Sequence, residues 1–371
     1  MHICFVTHGS IEKIATMKRA TGMANHLLKV GCKVTIICSD LPENESRIGF
    51  ECPEVNVEYV SPGSAISELV QKNKLIRKIK PDLVYVCSIG IRNLVFKSIT
   101  SKTKFVVEHS ELPSIFLGKN SLSRTKELIL EFSSLFLYDA HICASRFLEK
   151  TYTNRMKKVC VRKPILYSPY AYNSETLTPD KETVSLSEND SNNNTKVILY
   201  MGTLTENYGL FDMLNSVMNI SKKRSDINLL IMGNGRDKKK AVDYIERKNL
   251  NDYVTLLGYV PEDDLSYYFN VADVFISPLH NTLQDIARCP SKLFMYLPFD
   301  KPIITCEVGE AKELFGGQGI YYKPGDVDSL VCAIESSLGL TKPIYSSIKI
   351  NSHSWESRTN SFMKWINEEV I

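Results

Sequence analysis

Short, unbroken apolar runs recur along the chain, separated by longer stretches whose apolar residues fall at helical spacing. Runs near residues 2–7, 33–38, 82–87, 104–108 and 140–144 predict strands. Val34-Thr35-Ile36-Ile37-Cys38 is typical: it is continuous rather than alternating, as in a parallel strand covered on both faces. Helical patterns lie between them near 16–30, 65–79, 121–138 and 145–153. The alternation stops at residues 173–195, NSETLTPDKETVSLSENDSNNNT, which have almost no large apolar residue and read as a linker or exposed loop. It resumes at Val197-Ile198-Leu199-Tyr200-Met201, with further strands near 227–232, 253–257, 273–277, 302–306 and 319–322 and helices between them. The expected fold class is α/β, two parallel sheets wrapped by helices. The expected domains are 1–172, a linker at 173–195, 196–350, and a terminal segment 351–371. That segment reads as an amphipathic helix with Trp355, Phe362, Trp365 and Ile366, which either closes one core or returns to the first domain.

A length of 371 residues, 43% apolar and 23% charged, is too much for one ordinary core and suits two. No stretch approaches the ~20 apolar residues of a membrane span. The first residues, His2 to Val6, already read as a strand, so no signal peptide is expected. The ten cysteines include no Cys-x-x-Cys pair, and Cys4, Cys38, Cys87 and Cys143 sit in or at the ends of apolar runs. This pattern predicts a reducing cytoplasm, no disulfide and no structural zinc. In that compartment the sequon Asn193-Asn194-Thr195 is accidental. Metal dependence is not expected.

Charge changes the picture further. Residues 1–170 carry 25 Lys+Arg against 15 Asp+Glu, whereas residues 171–371 carry 20 against 27. A basic half suits an anionic substrate or surface. Its basic runs (Lys72, Lys74, Arg77, Lys78, Lys80; Lys157, Lys158, Arg162, Lys163) have few interleaved aromatics, which argues against stacking on nucleic acid.

The chemistry concentrates where strands end, since open parallel sheets bind ligands at their carboxyl edges. His8-Gly9-Ser10 follows the first strand and Glu108-His109-Ser110-Glu111 follows the fourth predicted in the first half. In the second half Gly202-Thr203-Leu204, Gly233-Asn234-Gly235 and Gly258-Tyr259-Val260 follow three strands, and their glycines would admit a ligand to the backbone. Residues 284–305, QDIARCPSKLFMYLPFDKPIIT, place Pro290 at the first position of a short helix with Arg288 and Lys292 on either side. A diphosphate cradle and an ordinary capped surface helix both fit this stretch. Taken together, the turns and the cationic helix point to a nucleotide site.

These residues resemble a known group. VILYMGTLTENYGLFDML, LLIMGNGRDKK, VTLLGYVPEDDLSYYFNVADVFISPL, PSKLFMYLPFDKPIIT and GEAKELFGGQGIYYKPGDVDSLVCAI are similar, in order and spacing, to the donor domain of glycosyltransferase family 4, retaining enzymes of the GT-B fold. The first half matches more loosely, through CFVTHG, HLLKVGCKVTIICSD, KPDLVYV and CASRFLEKTY. The resemblance implies two Rossmann-like domains facing a cleft, with a nucleotide sugar (a UDP-sugar favoured) on the second and an acceptor on the first. It implies donor contacts at Gly9, Gly202, Thr203, Leu204, Gly233, Asn234, Tyr259, Val260, Asp285, Ala287, Cys289, Ser291 and Glu313, acceptor contacts at Arg19 and Glu111, and a sugar-positioning role for His109.

The departures are specific. Thr203 and Tyr208 stand where the family commonly has Arg and Lys for the donor phosphates, and Ala287 and Met295 where it has two glutamates. Arg288 and Lys292 are expected to supply the missing charge, and Asp285 to take a sugar or ribose hydroxyl. The acceptor implied is a glycan or a lipid-pyrophosphate-linked glycan, met at the cytoplasmic face of a membrane with peripheral contact to anionic lipid through the basic half or the helix Leu122–Tyr138. Two other readings stay open: a catalytically silent glycosyltransferase-like subunit, and a nucleotide-sugar epimerase.

Overall fold

The computed structural model describes residues 1–12, 15–97, 102–116, 118–179, 195–340 and 345–371. Lys13, the sequon asparagines and residues 180–194 of the expected linker lie outside the described residues. The chain forms two compact units. Unit 1 is Met1–Ala171 with Ala287–Cys289 and Ser352–Ile371; unit 2 is Tyr172–Ile286 with Pro290–Asn351.

Unit 1 is built on seven parallel strands: β1 (His2–Val6), β2 (Lys33–Ser39), β3 (Asn56–Val60), β4 (Leu83–Val86), β5 (Lys104–His109), β6 (Ala140–Cys143) and β7 (Ile165–Tyr167), in the order β3-β2-β1-β4-β5-β6-β7. The chain runs outward from β1 in one direction and then from β4 in the other, so the order reverses between β1 and β4, the place where doubly wound sheets open a crevice. The strand pattern predicts the five central strands and misses both edges. β3 is only partly covered and carries Asn56 and Glu58, and β7 has three residues, so neither shows a continuous apolar run.

A buried charge cluster ties unit 1 together. Arg19, on the helix Ala15–Lys29, places Nε 2.7 Å from Oε2 of Glu108 on β5, and both side chains are fully enclosed. Its Nη2 donates to the Ser168 carbonyl (2.8 Å), and Tyr85 on β4 donates to Glu108 (2.9 Å). Burial pushes the Glu108 carboxyl upward while the Arg19 guanidinium pulls it back. The guanidinium also lies over the rings of Tyr170 (4.8 Å) and Trp355 (5.5 Å). Trp355 opens the helix Trp355–Trp365, which packs on Ala15–Lys29 at Gly22: a Cβ there would meet the indole at 2.5 Å. Ser352–Ile371 therefore belongs with the unit that the chain begins.

Unit 2 is a six-stranded parallel sheet of β8 (Lys196–Met201), β9 (Ile227–Met232), β10 (Val254–Gly258), β11 (Val274–Ser277), β12 (Ile303–Thr305) and β13 (Ile320–Tyr321), in the order β10-β9-β8-β11-β12-β13. Its order reverses between β8 and β11. The described start of the expected linker is part of this unit: Leu177 is buried and Ser266 donates to the Thr178 carbonyl (2.8 Å). Residues 287–289, expected in the second domain, group with unit 1 because their contacts are there. Ser145 donates to the Ala287 carbonyl (2.6 Å), the Ala287 methyl joins the apolar cluster of Leu148 and Tyr152, and the Tyr170 N–H donates to Cys289 Sγ (3.4 Å).

Two imidazoles are sealed into unit 1. His109 Nε2 and His141 Nδ1 share a hydrogen bond (2.9 Å), and His109 stacks on Tyr152 at 3.6 Å. Burial holds both neutral, His109 well below the usual imidazole range and His141 at about 3. In the unfolded chain they would protonate near 6.5. The unfolded state therefore binds protons that the fold refuses, and stability is lost as pH falls through 6.5. At pH 5 each ring costs the fold about 2 kcal/mol. The melting temperature is expected to drop between pH 7 and pH 5, with a shallower drop in His141→Gln; equal slopes would assign the acid limb to other groups.

Candidate functional site

The carboxyl edge of unit 2 is made of three adjoining turns. Gly202 follows β8 with φ +154°, Gly233 follows β9 with φ +128°, and Gly258 ends β10 with φ +74°. The turns are knitted to one another: Gly202 N–H donates to the Met232 carbonyl (2.9 Å) and Leu204 N–H to the Asn234 carbonyl (3.1 Å). The expectation that these glycines make room for a ligand is corrected at two of them. A Cβ on Gly233 would lie 2.0 Å from the Gly202 carbonyl oxygen, and one on Gly235 would lie 2.2 Å from that of Leu204. Their missing side chains let loop pack on loop. Leu204 is likewise buried in the core.

Gly202 differs. A Cβ there would lie 2.6 Å from Lys292 Nζ and 3.0 Å from the Tyr200 hydroxyl. The ammonium sits over the Tyr200 ring, 4.0 Å from its centroid, which holds it at the strand end. At the other end of the row Lys238 opens the helix Lys238–Arg247, donates to Asn234 Oδ1 (2.9 Å) and approaches the Gly258 position to 3.8 Å. Two lysines thus flank three neighbouring strand ends. Lys238 was not singled out from the sequence, although it sits in the GNGRDKK stretch directly after β9.

The helix of residues Ser291–Tyr296 has six residues, and Pro290 takes the N-cap place with φ −71° and ψ 104° instead of the first helical position. A 3-10 turn, Leu297–Phe299, continues it, and Asp300 ends it in the left-handed region (φ 46°) as the sequence suggests. Ser291 is half-buried, as are Tyr259 and Val260, while Thr203 is exposed. Asp285 is buried, its Oδ2 accepting from the His280 N–H (2.8 Å) and the Thr282 hydroxyl (3.3 Å), so its carboxylate braces its own loop. Glu313 is exposed on the helix Gly309–Phe315, whose buried acid is Glu310. Met295 is buried.

In unit 1 several expected contacts turn out to be interior. His109 is wholly enclosed because the pleat of β5 points it at Tyr152. Arg19 is committed to Glu108, Ser168 and two aromatic rings, which removes it from the acceptor contacts. Gly9 donates to Ser39 Oγ (2.9 Å) and accepts from Asn44 Nδ2 (2.8 Å), so both of its backbone groups serve the turn after β1. Ala287 and Cys289 are buried in unit 1. Lys72, expected in a surface basic run, is fully buried. Arg288 also falls in unit 1, where its charge, with that of Lys119, pulls down a Glu111 carboxyl raised by burial. The cations Arg288 and Lys292, expected to act as one bracket, are held by different units.

Glu111 does line a cavity. A space of about 430 Å³ opens at the carboxyl ends of β1, β4 and β5, bounded by His8, Ser88, Arg92, Ser110, Glu111 and Lys119 among others. It lies where the strand order reverses. A larger space of about 860 Å³, between Arg77, Lys80, Lys104 and Asn367, opens at the amino-terminal edge of the same sheet, away from the edge at which such sheets bind ligands.

Comparison with known proteins agrees with this architecture. Residues 182–348 match the family described as "Glycosyl transferases group 1" and residues 2–108 the one described as "Glycosyl transferase 4-like". An uncharacterized glycosyltransferase of Methanocaldococcus jannaschii is 27% identical over 198 residues, which cover 50% of this chain and 47% of that protein. The match thus spans about half of that relative's length. The crystal structure of HepE from Anabaena in complex with UDP and glucose superposes with a TM-score of 0.75 at 12% identity, covering 99% of each chain. The pneumococcal O-GlcNAc transferase GtfA, in complex with UDP and GlcNAc, gives 0.70 at 11% identity, again over 99% of each. The fold is that of GT-B glycosyltransferases, with two Rossmann-like parallel-sheet units, and glycosyltransferase is the class to which the matches in both halves point.

Because Gly233 is packed against backbone, Gly233→Ala is expected to destabilise the protein by more than about 3 kcal/mol in chemical denaturation. Gly31→Ala, also at positive φ (80°) but in open space, should cost only about 1–2 kcal/mol. Equal effects would show that the close approach at Gly233 is not sustained in solution.

Proposed function

We propose that this chain is a retaining glycosyltransferase that takes a UDP-sugar at the carboxyl edge of unit 2 and a glycan, or a lipid-pyrophosphate-linked glycan, in the unit 1 cavity. The observation that carries the donor assignment is the pair of lysines along one edge. Lys292 at Gly202 and Lys238 at Gly258 stand beside the turns whose Thr203 and Tyr208 carry no charge. A sugar leaving from a nucleotide builds negative charge on the diphosphate, and fixed cations stabilise that charge without reorganising. Retention of configuration rests on the resemblance of residues 196–338 to family 4. On the acceptor side, Glu111 is a half-buried acid of the cavity, and its raised affinity for a proton suits it to share the proton of an acceptor hydroxyl.

A membrane-borne acceptor is supported by the helix Ser121–Leu137. It buries Glu131, Ser134 and Leu135 but leaves Leu122, Ile129 and Phe136, each seven residues apart, 82%, 60% and 59% exposed. Exposed Arg124 and Lys126 flank this stripe, and Lys126 also lines the cavity. An apolar stripe with basic flanks suits an anionic lipid surface. Among the described residues no helix is long and apolar enough to cross a membrane. A second reading, a silent glycosyltransferase-like subunit, is favoured by Met295, buried where the family carries an acid.

Calorimetry with UDP separates the two readings. Binding that weakens at least tenfold in Lys292→Ala and again in Lys238→Ala supports the transferase; no binding of UDP, GDP, TDP, ADP or CMP by the folded protein supports the silent subunit. Flotation with vesicles tests the membrane. The protein should rise with phosphatidylglycerol vesicles and not with phosphatidylcholine alone, and Ile129→Ser/Phe136→Ser should abolish the difference. Equal flotation with both lipids would remove the charge-assisted docking.

A further inference from the structure

The unit 1 cavity holds a histidine that the readings above leave without a role. His8 lies two residues past the end of β1, lines the cavity, and among the described residues has Asn93 as its only hydrogen-bond partner, Nδ2 to Nδ1 at 2.9 Å. Asn93 is itself buried and held on both ends of its amide. Lys72 Nζ lies 2.9 Å from Asn93 Oδ1, and an ammonium can only donate, so that end is the oxygen. Asn93 Nδ2 lies 3.4 Å from the Ser88 carbonyl, which can only accept, so that end is the nitrogen. The amide orientation follows from the chemistry of its two neighbours. With Nδ2 pointing at the ring, His8 Nδ1 has to accept, and a neutral imidazole that accepts at Nδ1 carries its hydrogen on Nε2.

Lys72 is fixed in turn. It is fully buried, donates to the Arg92 carbonyl (2.8 Å) as well as to Asn93, and has Glu68 Oε2 at 3.9 Å. Arg92 reaches the other oxygen of Glu68 from outside. Burial pushes Lys72 down to about 8, still charged at neutral pH. Burial first, and the Lys72 charge second, bring His8 to about 4, so its ring is neutral over the same range. The charged groups around the ring are those already named: Lys72, Glu68 and Arg92.

We propose that Lys72 and Asn93 lock His8 as its Nε2–H tautomer, and that His8 is the cavity's neutral hydrogen-bond donor to a hydroxyl oxygen of the bound saccharide. The assignment of a saccharide rests on the acceptor reading given above; the tautomer lock does not. His8 in this state donates and does not accept, so it orients the acceptor and is not the base that removes its proton. Ser88, whose Oγ accepts from Asn93 Nδ2 (2.9 Å), has its own hydroxyl hydrogen left to give and lines the same cavity. Asn93 and Lys72 are positioning residues, because they act through His8.

Long-range 15N–1H correlation spectra of the histidine-labelled full chain test the lock directly, with His8→Gln used to assign the signal. A hydrogen on Nε2 from pH 6 to 8 is expected; a hydrogen on Nδ1 would overturn the proposal. Asn93→Asp sharpens the test, since a carboxylate keeps the partner of Lys72 but only accepts, and should transfer the hydrogen to Nδ1. An unchanged tautomer in a folded Asn93→Asp variant would also overturn it. For the ligand, titration with N-acetylglucosamine and with glucose should move the His8 Nε2–H resonance. Movement with inorganic phosphate alone, or with none of the three, would overturn the saccharide role. In turnover assays His8→Ala and Asn93→Asp should each raise the acceptor KM at least tenfold at unchanged UDP affinity, and an unchanged KM in His8→Ala would overturn the saccharide role. Loss of UDP binding in the wild-type protein would instead count against the transferase reading and leave the spectrum to decide the lock.

Discussion

The Arg19–Glu108 pair is the constraint on which unit 1 depends. Two opposite charges with no exposed surface are tolerable only while every neighbouring group stays in place, and removal of one partner from such a pair typically costs about 3–5 kcal/mol. Here the neighbours come from five separated segments: the first helix, β4, β5, the residues after β7 and the terminal helix. The cluster lies directly beneath the carboxyl edge that bears the cavity, since Glu108 and Glu111 are separated by three positions on the same strand and turn. Interior electrostatics and site geometry are therefore the same structure read at two depths.

Much of the architecture was legible in the chain. Central strands buried on both faces have to be continuously apolar, and β1, β2, β4, β5 and β6 announce themselves in that way. Edge strands β3 and β7 do not, because one flank needs no apolar cover. The site was less legible, for a different physical reason. Residue type shows what a side chain is able to do, not which way the backbone turns it. His109 and Arg19 are of the kinds that bind sugars and phosphates, yet the pleat of β5 and the inward face of the first helix commit both to the interior. The glycines after β9 were recognisable as necessary without revealing that the neighbour they admit is another loop. Lys72 looked like one of a surface run and is instead the buried cation that sets an amide. His8 was visible at the end of β1, but its chemical state depends on Asn93 and Lys72, far along the sequence.

Unit 2 handles charge in the opposite manner. It keeps cations at the rim: Lys292 is steadied by the Tyr200 face, and Lys238 by Asn234. Both ammonium groups stand half-buried at strand ends, where a positive charge attracts an incoming anion. Buried charge in one unit specifies shape, and half-exposed charge in the other stands at the carboxyl edge of its sheet.

The threading of unit 1 has a consequence for the order of assembly. Its core takes in Ala287–Cys289 and Ser352–Ile371, segments that emerge from the ribosome only after most of unit 2 has been made. Until then the indole that covers Arg19 is missing and the ion pair faces water, where it contributes little. Unit 1, although begun before unit 2, is completed after it. A nascent chain of this protein carries an open, charged seam until the helix Trp355–Trp365 has been made and closes it.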